Sequence, residues 1–169
     1  MTIDTRPQLS EIAKLKRAPG SFKLAAFDMD GTLLNAKHQL SHRSVTAVKT
    51  IAEQGIIVLV ATGRMMSAVR EHLDILGTKG IVVSHNGALV KDSETGQIYH
   101  HETVPRPLVM QLIDWAEEAE IILHLNFDDN ICLTELNPYS NQFARDLGVE
   151  LQVTDSLRDL PGEPTSVLL

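Results

Sequence analysis

The sequence has almost no cysteine, no long hydrophobic run and no excess of basic residues. Cys132 is the single cysteine among 169 residues, so no disulfide forms within the chain and a reducing compartment fits. The longest apolar run, residues 56–61, is far shorter than the ~20 residues of a membrane-spanning helix. The formal net charge of −7 argues against nucleic acid and anionic membranes as partners.

The beginning of the sequence lacks the apolar segment of a secretory signal. Residues 1–20 are polar and end in Pro-Gly, so we interpret them as an N-terminal arm, and we expect a cytoplasmic protein. Hydrophobic residues make up 43% of the chain and charged residues 22%, which is typical of a soluble globular protein.

The most informative stretch is AAFDMDGTLL at residues 25–34. Side chains two residues apart on a strand point the same way, so Asp28 and Asp30 are predicted to face one small volume. Two like charges repel there, and a divalent cation with a phosphoryl group would explain the arrangement. The alternative is an ordinary Asp-Gly turn. A calcium loop is excluded because Thr32 and Leu33 follow where further acidic residues are needed.

Apolar runs and helical periodicity alternate through residues 22–88 and predict a parallel sheet with crossover helices. The predicted elements are strands at 22–27, 56–60 and 81–83, a helix at 41–54, and a second helix that follows the turn at 62–64 and ends at Gly77. Polar residues follow each strand, and ligands bind at the carboxyl ends of such strands. These residues are Asp28 and Asp30, then Thr62, Gly63 and Arg64, then Asn86 and Gly87.

The pattern changes after Ala88, and we predict a second, α+β module from residue 89 onward. Its predicted strands are 98–104, 121–127, 131–135, 149–153 and 165–169, with helices at 108–119 and 138–147. Trp115 lies at helical spacing with apolar neighbours and is predicted to be in the core. Asp128 and Asp129 are predicted to form a solvated hairpin turn, and Cys132 a buried structural thiol.

At this point the sequence resembles the haloacid dehalogenase superfamily, and within it the Cof-like sugar-phosphate phosphatases. The resemblance rests on DMDGTLL at 28–34, VATGR at 60–64 and NGA at 86–88. The first run is highly specific, the second points to the subfamily, and the third is weak alone. The resemblance implies an α/β fold with part of a Rossmann-like parallel core at 21–88, followed by an incomplete cap domain at 89–169.

The resemblance also implies a chemistry, the hydrolysis of small phosphorylated metabolites such as sugar phosphates. Asp28 would be the nucleophile that forms an aspartyl-phosphate, and Asp30 the general acid and base. Mg²⁺ would be the cofactor, bound by Asp28 and by the carbonyl of Asp30. Phosphate or substrate contacts would come from Gly31, Thr62, Gly63, Arg64 and Asn86. For Arg64 and Asn86, a structural salt bridge or a turn hydrogen bond is an equal alternative.

The sequence departs from the family pattern after the predicted cap. The family's catalytic lysine and its Gly-Asp-type acidic run are not found there, and Lys91, at the entrance to the cap, is out of order for that lysine. We therefore expect a missing C-terminal half or a shortened relative, with little phosphatase activity in this chain alone. A homo-oligomer would be a second way to cover the exposed edge of the first strand.

Two other functions compete with the phosphatase hypothesis. One is a catalytically inactive remnant that still binds phosphate or a partner chain, which measurements of activity and metal binding would separate. The other is a nucleotide-binding module, which the sequence disfavours because it has neither a Gly-x-Gly-x-x-Gly run nor a Walker-type loop.

Overall fold

A computed structural model describes residues 22–169. The predicted N-terminal arm at 1–20 lies outside the described residues. The described residues form two β-sheets, each packed with helices against a hydrophobic core, and a smaller apolar cluster of Met65, Ala68 and Ile131 joins the two parts. Within the described residues, every helix is too short or too polar to cross a lipid bilayer.

The first sheet has five strands in the order β1-β2-β3-β4-β5. The strands are β1 (Leu24–Asp28), β2 (Ile57–Ala61), β3 (Ile81–Ser84), β4 (Leu89–Asp92) and β5 (Ile98–His101). The first three pair in parallel, and the last two join as antiparallel strands. The predicted parallel arrangement is therefore confirmed.

Two helices, α1 (His42–Glu53) and α2 (Arg70–Leu76), connect the parallel strands. Ser41 caps α1, because its hydroxyl oxygen accepts a hydrogen bond from the Ser44 amide at 3.0 Å. Gly77 ends α2 in the left-handed conformation that favours glycine, with φ of 67°. The helices bury their apolar side chains against one face of the sheet, in a core that includes Val48, Val58, Val60, Leu73, Leu76 and Val82.

The opposite face of this sheet is apolar and open. Leu24 is 51% exposed and its register partner Ile57 is 64% exposed. Ile81, on the next strand, is also exposed. Among the described residues β1 pairs only with β2, so it forms an edge of the sheet. The exposed flank and edge that the sequence analysis expected are therefore present.

The hydrogen-bonded sheet does not change at residue 89, where the sequence analysis placed the start of the second module. Strand β4, which the pattern analysis missed, turns back and pairs with β3, so that Ser84 lies opposite Leu89. Strand β5 continues the same sheet. The second sheet begins only at His124. The predicted domain ranges 21–88 and 89–169 stay a prediction.

The second sheet has the strand order β8-β7-β6-β9. Its strands are β6 (His124–Phe127), β7 (Asn130–Leu133), β8 (Leu151–Val153) and β9 (Ser166–Leu168), and its helices are α3 (Arg106–Glu118) and α4 (Pro138–Leu147). Asn137 and Ser140 form a reciprocal capping box at the start of α4. The predicted hairpin between β6 and β7 is confirmed.

Two predictions for single residues of this module have opposite outcomes. Cys132 is buried in β7, and burial raises the pKa of its thiol, as expected for a structural cysteine. Trp115 was predicted to be in the core, and this was wrong, because its side chain is 46% exposed. The buried face of α3 is formed instead by Val109, Ile113 and Ala116.

Candidate active site

The two predicted carboxylates lie together where β1 ends. Asp28 and Asp30 are exposed, whereas Met29 between them is completely buried. This alternation places both acids on the side away from the core. The Thr32 hydroxyl donates a hydrogen bond to Asp28 Oδ2 at 3.0 Å. Gly31, with φ of 76°, reverses the chain in a conformation that suits glycine.

Arg64 holds the Asp30 carboxylate through both oxygens. Its Nε donates to Oδ2 at 2.8 Å and its Nη2 donates to Oδ1 at 2.7 Å. His38 Nδ1 lies 3.3 Å from Oδ1. The Arg64 guanidinium, with a smaller effect from His38, holds the pKa of the Asp30 carboxyl below its usual range. Arg64 thus forms the salt bridge that was one of its two alternatives, and its predicted contact with substrate stays a prediction.

Thr62 and Gly63 follow the neighbouring strand β2. The β1–β2 register pairs Asp28 with Ala61, so Thr62 is the next residue beyond the end of the pairing. The Thr62 hydroxyl oxygen accepts a hydrogen bond from the Arg64 amide at 3.1 Å. This leaves the hydroxyl proton of Thr62 to be donated to another group. The short turn therefore presents one hydroxyl donor beside the carboxylate pair.

Asn86 closes against this turn from the end of β3. The main-chain amide of Asn86 donates a hydrogen bond to the Thr62 carbonyl at 3.1 Å. The backbone of Asn86 is in the left-handed region, with φ of 56°. A Cβ atom on Gly63 would lie 2.8 Å from Asn86 Oδ1, closer than such atoms approach. Glycine is therefore required at position 63 if the Asn86 side chain is to keep its place.

His85 is buried and connects the first sheet to the second. Its Nε2 lies 3.1 Å from the Asp128 carbonyl oxygen, and its Nδ1 lies 3.1 Å from Ser166 Oγ. Burial lowers the pKa of His85, and the hydrogen bond to Asp128 partly opposes this. The imidazole is therefore neutral near pH 7.

A cavity of about 300 Å³ lies between the first sheet and the second module. Its lining residues are Asp30, Gly63, Arg64, Met65, His85, Asn86, Asn126, Phe143, Leu147, Ser166 and Leu168. Four of the predicted site residues are in this lining, whereas Asp28, Gly31 and Thr62 are outside it. The sequence analysis missed Asn126 and Ser166 because they lie about 40 or more residues from the motifs and carry no local signal. Only the packing of the two sheets brings them to the site.

The turn between β6 and β7 is not solvated, contrary to our prediction. Lys91 Nζ donates to Asp128 Oδ2 at 2.5 Å, and the Ser67 amide donates to Asp129 Oδ1 at 2.6 Å. Both contacts join the second module to the first sheet and its connections. The prediction failed because the partners of the turn are distant in sequence. Lys91 is thus engaged in an ion pair with Asp128.

The oxygen donors of the site fit a magnesium ion that is shared with a substrate. Mg²⁺ uses one or two protein carboxylates, keeps several waters and binds substrate phosphates. Asp28 has a carboxylate oxygen not used by Thr32, whereas both oxygens of Asp30 contact Arg64. Within residues 22–169, no group of three or more His, Cys, Asp or Glu side chains is placed to hold a metal. Asp28 therefore fits the predicted ligand role, and Asp30 fits it only through its main-chain carbonyl.

Comparisons with known proteins show the family of the chain. The family model described as haloacid dehalogenase-like hydrolase matches residues 25–166. Phosphatase YwpJ of Bacillus subtilis is 43% identical over 95 residues, which are 56% of this chain and 33% of the relative. HMP-PP phosphatase of Klebsiella pneumoniae is 30% identical over 115 residues, which are 68% of this chain and 38% of the relative.

The fold is also shared with solved structures. A haloacid dehalogenase-like hydrolase from Bacteroides thetaiotaomicron superposes with a TM-score of 0.75 and 26% identity, over 83% of this chain and 55% of that one. The chain thus spans between a third and just over half the length of these relatives. The family model covers the carboxylate pair, both following turns and most of the second module. The chain belongs to the haloacid dehalogenase-like hydrolase family.

Proposed function

We propose that this protein is a magnesium-dependent phosphatase of small phosphorylated metabolites, such as sugar phosphates, and that it works through an aspartyl-phosphate on Asp28. The observation that carries the proposal is the placement of Asp28 and Thr62 at the ends of two paired strands. Asp28 pairs with Ala61, the last residue of β2, and Thr62 follows directly, while the Thr32 hydroxyl donates to the Asp28 carboxylate. Two relatives that are similar to this chain over 95 and 115 residues bear the name phosphatase.

In the proposed first half-reaction, an Asp28 carboxylate oxygen attacks phosphorus in line with the leaving alcohol. The new bond joins Asp28 to phosphorus, and the bond between phosphorus and the alcohol oxygen breaks. Asp30 gives a proton to that oxygen. The Thr62 hydroxyl and the Gly63 amide donate hydrogen bonds to the phosphoryl oxygens, where negative charge is spread.

In the second half-reaction, water attacks the same phosphorus atom, and the bond from phosphorus to Asp28 breaks. Asp30, now a carboxylate, takes the proton from this water. The salt bridge suits this step, since the Arg64 guanidinium lowers the pKa of the Asp30 carboxyl and so favours its ionised form. Mg²⁺, held by Asp28 and the Asp30 carbonyl, would supply charge neutralisation for the phosphoryl group.

The first half-reaction needs a protonated Asp30, and the salt bridge with Arg64 opposes it. We propose that the substrate itself loosens this bridge. A phosphate dianion beside Asp28 competes for the Arg64 guanidinium, which lines the same cavity as Asp30. The added negative charge and the weaker contact with Arg64 both raise the pKa of Asp30.

A small substrate is supported by the size and chemistry of the cavity. About 300 Å³ holds a small organic ester, and Asn86 and Asn126 offer it polar contacts. The net charge of −7 fits neither nucleic acid nor an anionic membrane as the partner. We propose a cytoplasmic location, where phosphorylated metabolites and millimolar magnesium occur together.

A catalytically inactive protein that binds phosphate is the second candidate. It is favoured by one observation: Lys91 Nζ is paired with Asp128 in the β6–β7 turn, and no contact of Lys91 with Asp28 or Asp30 is found within residues 22–169. In that case the exposed face around Ile57 would hold a partner chain or a second copy.

The test is hydrolysis of p-nitrophenyl phosphate with Mg²⁺, by this chain and by the longest reading frame that contains it. We expect Asp28→Asn to abolish all turnover, while Asp129→Asn, outside the cavity lining, retains it. Equal rates before and after Asp28→Asn would overturn the mechanism. Binding of beryllofluoride that requires Asp28, without turnover in either protein, would support the inactive phosphate-binding candidate instead.

A further inference from the structure

A chain of hydrogen bonds runs from the first sheet into the second along the wall of the cavity. It joins the Asp128 carbonyl to His85 Nε2 at 3.1 Å, His85 Nδ1 to Ser166 Oγ at 3.1 Å, and Ser166 Oγ to Asn126 Nδ2 at 2.9 Å. A carbonyl oxygen only accepts hydrogen bonds. His85 Nε2 therefore carries a proton and donates it to Asp128.

The remaining directions follow from this first one. A neutral imidazole with a proton on Nε2 has a lone pair on Nδ1. The Ser166 hydroxyl therefore donates its single proton to His85 Nδ1. The Ser166 oxygen is then left to accept, and it accepts from the amide nitrogen of Asn126. The side-chain amide of Asn126 thus has one orientation, with its nitrogen on Ser166.

In this orientation, the amide oxygen of Asn126 has no hydrogen-bond donor among the described residues. Asn126 is only 2% exposed, and its Oδ1 is a buried atom that has no hydrogen-bond partner within residues 22–169. The residue lines the same cavity as Asp30 and Arg64. Buried amide oxygens are nearly always paired, because an unpaired one loses its hydrogen bonds to water on burial and gains no other hydrogen bond in return. The missing donor therefore comes from outside residues 22–169.

We propose that Asn126 selects the alcohol part of the substrate, by accepting a hydrogen bond at Oδ1 from a hydroxyl group of the bound phosphate ester. This assignment rests on the proposed function, since it places the phosphoryl group of the same ester at Asp28. Ser166 and His85 are positioning residues, because they act only by fixing the amide. An ester without a hydroxyl group leaves the oxygen unpaired and is bound less well. The favoured substrates are therefore polyol and sugar phosphates rather than plain alkyl phosphates.

The first experiment compares sorbitol 6-phosphate with hexyl phosphate by titration calorimetry. Both probes have the same carbon chain and phosphate, and only sorbitol 6-phosphate carries hydroxyl groups. We expect the protein to prefer sorbitol 6-phosphate by about 10-fold or more, as one satisfied buried polar group allows. Asn126→Leu is expected to remove most of this preference without weakening hexyl phosphate. Asn130→Ala, an exposed asparagine on the same hairpin, is the matched control and keeps the preference.

Three results of this titration would overturn the inference. They are an equal loss of affinity for both esters in Asn126→Leu, an unchanged preference in that variant, and no binding of either ester to the parent protein. An unchanged preference would mean that a bound water alone pairs with Asn126. The titration measures binding and does not depend on turnover. If the protein prefers sorbitol 6-phosphate but shows no hydrolysis that depends on Asp28, the proposed function is refuted and the role of Asn126 is still supported.

The second experiment tests the orientation of the amide and does not require the Asn126→Leu variant to fold. In ¹⁵N NMR spectra at neutral pH we expect His85 to carry its proton on Nε2 and none on Nδ1. Ser166→Ala removes the group that fixes the amide, and the preference for sorbitol 6-phosphate is expected to fall about 3-fold. A proton on Nδ1, or an unchanged preference in Ser166→Ala, would contradict the assignment.

Discussion

Arg64 and Asp30 form a bidentate ion pair between the ends of neighbouring strands. Arg64 is 8% exposed, and both oxygens of Asp30 accept from it, at 2.7 and 2.8 Å. The pair fixes the loop after β1 against the turn after β2. It also keeps a candidate general acid in its ionised form, so it links the stability of the site to its chemistry.

Removal of the carboxylate charge is expected to destabilise the fold. Asp30→Asn leaves the buried Arg64 guanidinium without its counter-ion, at a cost of about 1–2 kcal/mol. The cost is below that of a fully buried pair because the Asp30 side chain is 45% exposed. Urea unfolding measures it. Asp28→Asn, which removes a charge from an exposed neighbour, is the control, and an equal loss in both variants would contradict a specific role for the pair.

The same pair predicts a pH dependence. The folded protein holds the pKa of Asp30 below its ordinary value of 3.8, so the ionised carboxylate contributes stability above that value. This contribution is lost as the pH falls through the lowered pKa of the folded state. The stability difference between the parent protein and Arg64→Met is therefore expected at pH 7 and should shrink as the pH falls below 3.8 and through the lowered pKa of the folded state. Urea midpoints at several pH values measure it, and a difference that grows on acidification would show the opposite linkage.

Gly63→Ala is expected to disturb the phosphate contacts more than the fold. The new methyl group would lie 2.8 Å from Asn86 Oδ1, and the asparagine side chain has to move away. We expect about 1 kcal/mol of destabilisation, with beryllofluoride binding weakened by about 10-fold. The double variant Gly63→Ala/Asn86→Gly removes the clash and suits the left-handed φ of 56°, so it should regain stability. If the double variant is no more stable than the single one, the clash is not with Asn86.

Lys91 and Asp128 are expected to hold the second module against the first sheet. Their side chains are 18% and 31% exposed, so Lys91→Met leaves a half-buried carboxylate unpaired, at about 1–2 kcal/mol. Hydrogen exchange should rise at the β6–β7 turn in this variant. Lys79→Met is the matched control, because Lys79 pairs with Glu94 on the surface, and it should change neither quantity. If hydrogen exchange at the β6–β7 turn is unchanged in Lys91→Met, the ion pair does not hold the second module against the first sheet.

The open apolar face is expected to make this chain self-associate. Leu24, Ile57 and Ile81 are exposed on three neighbouring strands of the first sheet, and β1 is an unpaired edge among the described residues. Light scattering should show a mass that increases with concentration, and Ile57→Lys should shift it toward the monomer. Leu169→Lys, an exposed apolar residue on the second sheet's side, should not. A monomer at all concentrations would mean that the face is covered.

The sequence by itself determined the local parts of this protein. Periodicity and capping residues predicted α1 and α4, and the runs after the three parallel strands predicted where polar side chains collect. These signals depend only on neighbours a few residues apart, so they are present before the chain folds. The family assignment also came from such short runs.

The tertiary structure decided which distant residues meet. Three features join segments whose sequences do not indicate that they are in contact. They are the ion pair of Arg64 with Asp30, the pairing of β4 with β3, and the contacts of Asp128. The path from His85 through Ser166 to Asn126 depends on how the two sheets face each other. Its donor and acceptor roles are set by partners that arrive only when both cores have packed.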